Sequence, residues 1–180
     1  MEYVNRPARR KLRQFGESEI GPRKGLPMPM VDLESVFERL SGFPIRTFDE
    51  GELLLAEGSW TGQLLFLLQG AVDVVKDGWH IARVDKPGAV FGDMAVLRDQ
   101  PHSADVITSQ RSSFFIVNDA ASFLRNEPLI ALYIAVVQSG RLDAANRSLI
   151  AAKSQFAGNG PDDRAFVATL DDIGAALVAA

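Results

Sequence analysis

A chain of 180 residues, 47% hydrophobic and without cysteine, suits one domain with a substantial core plus additional segments, and it excludes disulfides and thiolate metal sites, in keeping with a reducing cytoplasm. The longest unbroken apolar run, Leu129 to Val137, has nine residues, about half of the roughly 18 that suggest a membrane span, so no transmembrane helix is expected. The net charge of −4 is unevenly spread: residues 1–24 hold Arg6, Arg9, Arg10, Lys11, Arg13, Arg23 and Lys24 against Glu2, Glu17 and Glu19, a surplus of four that leaves the remainder at −8.

The first segment, 1–30, is Arg-rich with no apolar stretch behind it, which argues against a secretory signal. It reads as a solvated, flexible basic leader; a second reading lets its charge touch nucleic acid, an anionic lipid surface or the protein's own acidic face. Gly21-Pro22, Gly25 and Pro27-Met28-Pro29 interrupt regular structure up to about residue 30. Asp32 then caps a helix expected through Gly42, with Leu33, Val36, Phe37 and Leu40 on one apolar face.

From Phe43 to Val117 the pattern changes to short runs of Leu, Val, Ile and Phe punctuated by glycine, the signature of an antiparallel barrel or sandwich. Strands are expected at Glu52–Leu55, Leu64–Gln69, Ala71–Lys76, Trp79–Val84, Ser103–Thr108 and Ser112–Val117, with Asp77-Gly78 as a two-residue hairpin turn. Within this region the stretch Phe91 to Ala104 is a glycine-led turn into a short helix and back to a strand. Such a turn aims several backbone N–H groups at one spot, and the start of the helix adds a favourable dipole, so the stretch is the candidate site for one phosphate.

Asp119 caps a short helix through about Asn126, and Pro128 opens a longer one reaching about Ser154. Ile130, Ile134, Val137, Arg141 and Ala145 progress along one side of it, beside Tyr133 and Val136. This is more apolar surface than a small barrel covers, and it predicts a homodimer through the long helix. Gly140 near the middle costs about 1 kcal/mol relative to Ala; a close helix crossing or a kink would each account for it. After Ala157 a Gly-Asn-Gly-Pro break leaves 162–180 for one small helix, too little for a helix-turn-helix DNA-binding module. The expected organisation is therefore a leader (1–30), a β-rich domain including the long helix (31–156), and a linker with a short helix (157–180).

The string Phe91-Gly92-Asp93-Met94-Ala95-Val96-Leu97-Arg98-Asp99-Gln100-Pro101-His102-Ser103-Ala104 resembles the phosphate-binding cassette of the cyclic nucleotide-binding domain family, F-G-E-x-A-L-L-x-x-x-P-R-S-A-x-V. The likeness covers roughly residues 30–155. Phe48-Asp49-Glu50-Gly51 and Glu57-Gly58 look like the family's opening turns, Leu64 to Val74 like its paired strands with the glycine between, and Lys86-Pro87-Gly88 like its approach to the cassette. The resemblance implies a mainly β fold with flanking helices, an antiparallel β-roll of jelly-roll type plus a long C-terminal helix. It implies cyclic AMP or cyclic GMP as ligand, no other cofactor, and a site of Gly92, Asp93, Met94, Ala95, His102, Ser103, Ala104 and Asn146. In the family the Asp93 position takes the ribose 2′-hydroxyl, the His102 position takes the phosphate, and the Asn146 position offers a polar group to the purine.

The departures fall on the ligand contacts. Asp93 is one methylene shorter than the family's Glu, and His102 replaces a guanidinium that is always charged and grips phosphate bidentately. Losing one charge-assisted contact of about 1.5–3 kcal/mol weakens binding by roughly ten- to a hundredfold. Plainer readings stand beside these: Gly92 serving only the turn, Asp93 capping the short helix, His102 a loop-exposed imidazole, Ser103 and Ala104 starting a strand, and Asn146 facing solvent. Arg83 and Arg98 are alternative sources of positive charge or simple surface residues. Catalysis gains no support, since only His80 and His102 exist, without the H-x-H pair of a cupin-like metal site, and Ser103 beside His102 points to the opposite face of a strand.

The expectation is a cytoplasmic regulatory module, not an enzyme, that senses a cyclic nucleotide through residues 91–104 and relays occupancy through its C-terminal helix to a protein partner or second subunit. The alternative is a ligand-free interaction or dimerisation scaffold with a vestigial cassette.

Overall fold

The computed structural model of this chain describes residues 31–155, 168–170 and 172–173. The expected leader lies outside the described residues, as does the linker at 157–161; of the short terminal helix, 168–170 and 172–173 are described and are helical. The chain divides between Ile134 and Ala135 into two units.

Helix α1, Leu33–Leu40, starts as the sequence predicts: the Asp32 carboxylate accepts the Ser35 amide at 2.7 Å and the Ser35 hydroxyl at 2.8 Å. Those bonds hold the Asp32 carboxyl below its ordinary pKa, the mark of a carboxylate working as an N-cap. The helix stops at Ser41, whose hydroxyl turns back onto the Glu38 carbonyl. Val36, Phe37 and Leu40 form its buried face.

Eight strands follow: β1 (Ile45–Phe48), β2 (Leu53–Leu55), β3 (Leu64–Gln69), β4 (Val72–Lys76), β5 (Trp79–Val84), β6 (Val90–Phe91), β7 (Asp105–Thr108) and β8 (Ser112–Val117). They form two antiparallel four-stranded sheets, ordered β1-β8-β3-β6 and β2-β7-β4-β5. The spacing of short strands and glycines predicts such an antiparallel barrel or sandwich, and the pair of sheets is the β-roll that the resemblance implies. Two strands escape the sequence reading, β1 because its residues are largely exposed and β6 because it has two residues. The strand expected from Ser103 starts at Asp105, since the preceding residues complete the cassette.

The sheets differ in how they are covered, and the sequence shows why. In β3 five consecutive residues, Leu64 to Leu68, are buried, and all six of β8 are; a strand covered on both faces has no reason to alternate. One face meets the inter-sheet core of Leu55, Leu65, Leu67, Val72, Phe91, Val106, Phe114 and Ile116, where Phe114 takes Phe48 and Phe91 edge-on. On the other, Phe115 packs against Phe37 of α1 with ring centroids 5.8 Å apart. β5 is mostly exposed by comparison, and Trp79 is 77% accessible.

The hairpin between β4 and β5 turns at Asp77-Gly78, both with positive φ. The turn between β3 and β4 is tighter. Gly70 has a φ of 106°, and a Cβ there would overlap Ser112 backbone and side chain together; only glycine meets both demands. The Ser112 hydroxyl accepts the Ala71 amide at 3.0 Å and lies 3.0 Å from the Ala71 carbonyl and 2.8 Å from the Gln110 carbonyl.

Helix α2 (Asp93–Arg98) lies between β6 and β7, and helix α3 (Ala120–Asn126) follows β8. Asp119 caps α3 by accepting the Ser122 amide at 3.2 Å, as expected from the sequence. Helix α4 runs Pro128–Gln155. In the first unit Ile130 and Ile134 are fully buried, and the Tyr133 hydroxyl donates to the Gly88 carbonyl at 2.9 Å. In the second unit Val136, Leu142 and Ile150 are exposed, and Gly140 has nothing near its Cβ position. Of the apolar line expected along this helix, Ile130 and Ile134 are therefore core residues. No single helix among the described residues is long and apolar enough to cross a membrane.

Candidate functional site

The cassette begins where β6 ends. Val90 and Phe91 pair with Phe66 and Leu65 of β3, and both are buried. The chain then turns at Gly92, whose φ of 84° is left-handed and which forms the N-cap of α2. A side chain there would run into the Gln63 carbonyl oxygen and stand 3.6 Å from His102 Cε1, so conformation and close packing both require glycine. With no side-chain cap on α2, its first amides depend on other acceptors.

α2 faces Asp93 and Ala95 inward and Met94, Leu97 and Arg98 outward. Asp93 is only 3% exposed, and it is the first helical residue, Gly92 holding the cap position. The plain reading of Asp93 as the helix cap thus gives way to a carboxylate carried into the interior.

His102 is not loop-exposed; it is 4% accessible. Its backbone is clamped to the loop before β3, with His102 N–H donating to the Ser59 carbonyl and its own carbonyl accepting the Gly58 amide, both at 2.8 Å. Its ring Nε2 shares a hydrogen bond of 2.8 Å with Thr61 Oγ1, which also accepts the Gln63 amide at 3.3 Å. Burial lowers the imidazole pKa from its ordinary 6.5, because a desolvated ring resists charging. At neutral pH this position therefore holds a neutral ring.

Ser103 is exposed and Ala104 partly buried. The Ser103 carbonyl accepts Lys76 Nζ at 3.1 Å, and the same ammonium bonds Glu57 Oε1 at 2.8 Å and lies 3.5 Å from Asp77 Oδ2. Glu57 also accepts the Asp77 amide at 2.9 Å and donates its own amide to Asp105 Oδ1 at 2.6 Å. The hydrogen bond between them raises the Lys76 pKa and lowers that of Glu57. In this way the end of the cassette is tied to the β4–β5 hairpin. Arg83 and Arg98 are both exposed. Asn146 lies on α4 in the second unit and is partly buried.

The structure thus brings Gly92 and His102 together, with Asp93 beside them at the start of α2. Sequence reasoning missed Thr61, Ser59 and Lys76. The glycine-flanked polar loop Gly58-Ser59-Trp60-Thr61-Gly62 is the signal that points to the first two; nothing local marks Lys76, whose role depends on the strand register that sets Val75 opposite Asp105. Chemically, the site offers a buried carboxylate, a neutral imidazole and the backbone of a left-handed turn. That set recognises hydroxyls and phosphate oxygens by hydrogen bonding more readily than by charge.

Residues 45–125 match the family model of the cyclic nucleotide-binding domain. Among solved structures the chain is similar to a cyclic nucleotide-binding domain from Methylobacillus flagellatus, with 26% identity and a TM-score of 0.54 over 68% of this chain and 72% of that one. It is similar to the Thermus thermophilus catabolite activator protein, with 23% identity and a TM-score of 0.56 over 68% of this chain. The matched region spans 61% of that protein's length. The structure of PKAR CBD2 with Sp-2Cl-cAMPS bound has 19% identity and a TM-score of 0.53, over 75% of this chain and 90% of that one. No curated protein matches the chain.

Proposed function

We propose, on the premise that residues 45–125 are a cyclic nucleotide-binding domain, that this chain is a regulatory module of the cytoplasm that binds cyclic AMP or cyclic GMP in the cassette of residues 91–104. The observation that carries the reading is the Gly92 turn, which packs against the buried His102 and leads into an interior carboxylate, Asp93. In this reading Asp93 takes a ribose hydroxyl, and the backbone of Gly92, Met94, Ala95, Ser103 and Ala104 lines the phosphate. His102 in place of an arginine makes the affinity weak by family standards. Occupancy is relayed through α4 to a partner or a second copy.

Calorimetric titration with cyclic AMP, cyclic GMP and cyclic dinucleotides tests the reading. Saturable heat with either mononucleotide supports it, and a flat trace with every ligand at high protein concentration sinks it. The rival, a ligand-free scaffold, draws on one observation: His102 is already satisfied by Ser59, Gly58 and Thr61 without a ligand.

Dimerisation belongs to the proposal through the exposed Val136, Leu142 and Ile150, which lie within about a third of a helical turn at 3.6 residues per turn. Replacing Val136 and Leu142 with Glu is expected to convert a dimer to a monomer in light scattering. Ile134 is unsuitable for that experiment, since its side chain is in the core of the first unit. A wild-type monomer at high concentration would end the dimer proposal.

A further inference from the structure

The Thr61–His102 hydrogen bond joins the loop before β3 to the cassette, and it engages the one residue whose charge decides how an anion fares there. Three observations bear on it. The imidazole is buried and its Nε2 is committed to Thr61 Oγ1 at 2.8 Å. The ring lies against the Gly92 turn, since a Cβ on Gly92 would stand 3.6 Å from His102 Cε1. At the Ser103 end of the cassette the charged groups are Glu57 on the clamping loop, Asp105 on β7, Asp77 on the hairpin and the Lys76 ammonium, while Asp93 is buried at the start of α2. Farther along α2, Arg98 and Asp99 are exposed and of opposite sign.

We propose that the Thr61–His102 bond is a latch on the cassette, so that a cyclic phosphodiester binds only when His102 leaves Thr61 and takes up one proton from solvent. The inference rests on the cyclic nucleotide reading and specifies how that site is regulated. An anion buried at the turn requires a compensating cation, and the histidine packed against Gly92 is a group able to become one. In the proposed latch the neutral ring carries its proton on Nδ1, so that Nε2 accepts from the Thr61 hydroxyl, takes up the solvent proton on release, and becomes a donor toward the phosphate oxygen. Burial resists formation of the imidazolium in the free protein, and the bound anion favours it once formed. Binding and protonation are thereby linked, and each promotes the other.

Two measurements on the full chain test this. In the first, cyclic AMP and cyclic GMP are titrated calorimetrically at about pH 7.5, roughly one unit above the free imidazole pKa, in buffers of small and large ionisation heat. The slope of observed heat against buffer heat is expected to show uptake of about one proton per binding event in the wild type. In His102→Arg uptake should vanish and affinity rise by on the order of tenfold. In Thr61→Val, with no hydroxyl to compete for the ring, affinity should rise about three- to tenfold. Binding without proton uptake, or a Thr61→Val protein that folds normally with unchanged or weaker affinity, overturns the latch while leaving the cyclic nucleotide reading intact. No binding by any of the three proteins overturns both.

The second measurement needs no ligand. Nitrogen NMR of the free protein is expected to show His102 neutral, with Nε2 as acceptor, down to a pH below 6.5. A ring already protonated at or above that value overturns the latch by itself.

Discussion

Gly70 and Gly92 are built alike and serve differently. Each has a left-handed backbone, each is pressed against another part of the chain, and each adjoins a buried polar residue, Ser112 in one case and His102 in the other. At Gly70 the polar partner is spent on the fold: the Ser112 hydroxyl serves the Ala71 amide and lies against the Ala71 and Gln110 carbonyls, closing a turn between two strands. At Gly92 the partner's backbone is clamped by Gly58 and Ser59, but its ring holds a single hydroxyl, Thr61, in a turn that leads into a short helix whose N-cap, a glycine, has no side chain to offer. A buried serine with hydrogen bonds to backbone has no proton state to vary near neutral pH. A buried histidine on one side-chain hydroxyl does. Close packing around a glycine is thus no mark of function, and the chemistry of the group it packs against separates the two cases.

The comparison breaks most visibly at Gly70. Gly70→Ala would force a Cβ into the Ser112 backbone at a φ of 106°, and a loss of about 3 kcal/mol or more is expected from strain and overpacking combined. The urea midpoint measures it, and an unchanged midpoint would show that the turn relaxes freely. Gly92→Ala is expected to cost somewhat less, about 2–3 kcal/mol, because the clash is with one carbonyl oxygen, that of Gln63. It should also abolish cyclic nucleotide binding under conditions where the protein is still folded. If Gly92→Ala lost stability alone, with affinity retained, the two glycines would be equivalent after all.

The smallest effect sharpens the distinction through pH. The folded state lowers the His102 pKa from 6.5, so the unfolded chain binds the proton more readily than the native protein does. Stability is therefore full above 6.5 and declines as pH falls through that value toward the folded pKa. Asp32 and Glu57, also lowered, act in a separate window, below their ordinary 3.8 and 4.5. Denaturation midpoints compared across the first window should fall in the wild type and hold steady in His102→Gln. An equal fall in both would move the cause away from this ring.

Features set by neighbouring residues were the legible ones. The Asp32 and Asp119 caps, the Asp77-Gly78 turn and the continuous apolar run of β3 each state their structure within a few residues. β1 was not legible because Ile45 to Thr47 are exposed and carry no alternation, and the two residues of β6 are too few for any period. At the site, the cassette and its glycine were readable as a string, whereas the burial of His102 was not. That burial is set by Gly58, Ser59 and Thr61, some forty residues upstream, and a one-dimensional pattern holds no trace of a contact across that separation.

Trp60 stands between Ser59, whose carbonyl holds the His102 amide, and Thr61, whose hydroxyl holds its ring. It is half-exposed, and Trp79 is the chain's other indole. With Trp79→Phe, the indole emission of this protein, excited where its two tyrosines do not absorb, would come from one tryptophan mounted on the loop that clamps the cassette. Opening and closing of that loop would then be visible as a colour shift in real time, without any label.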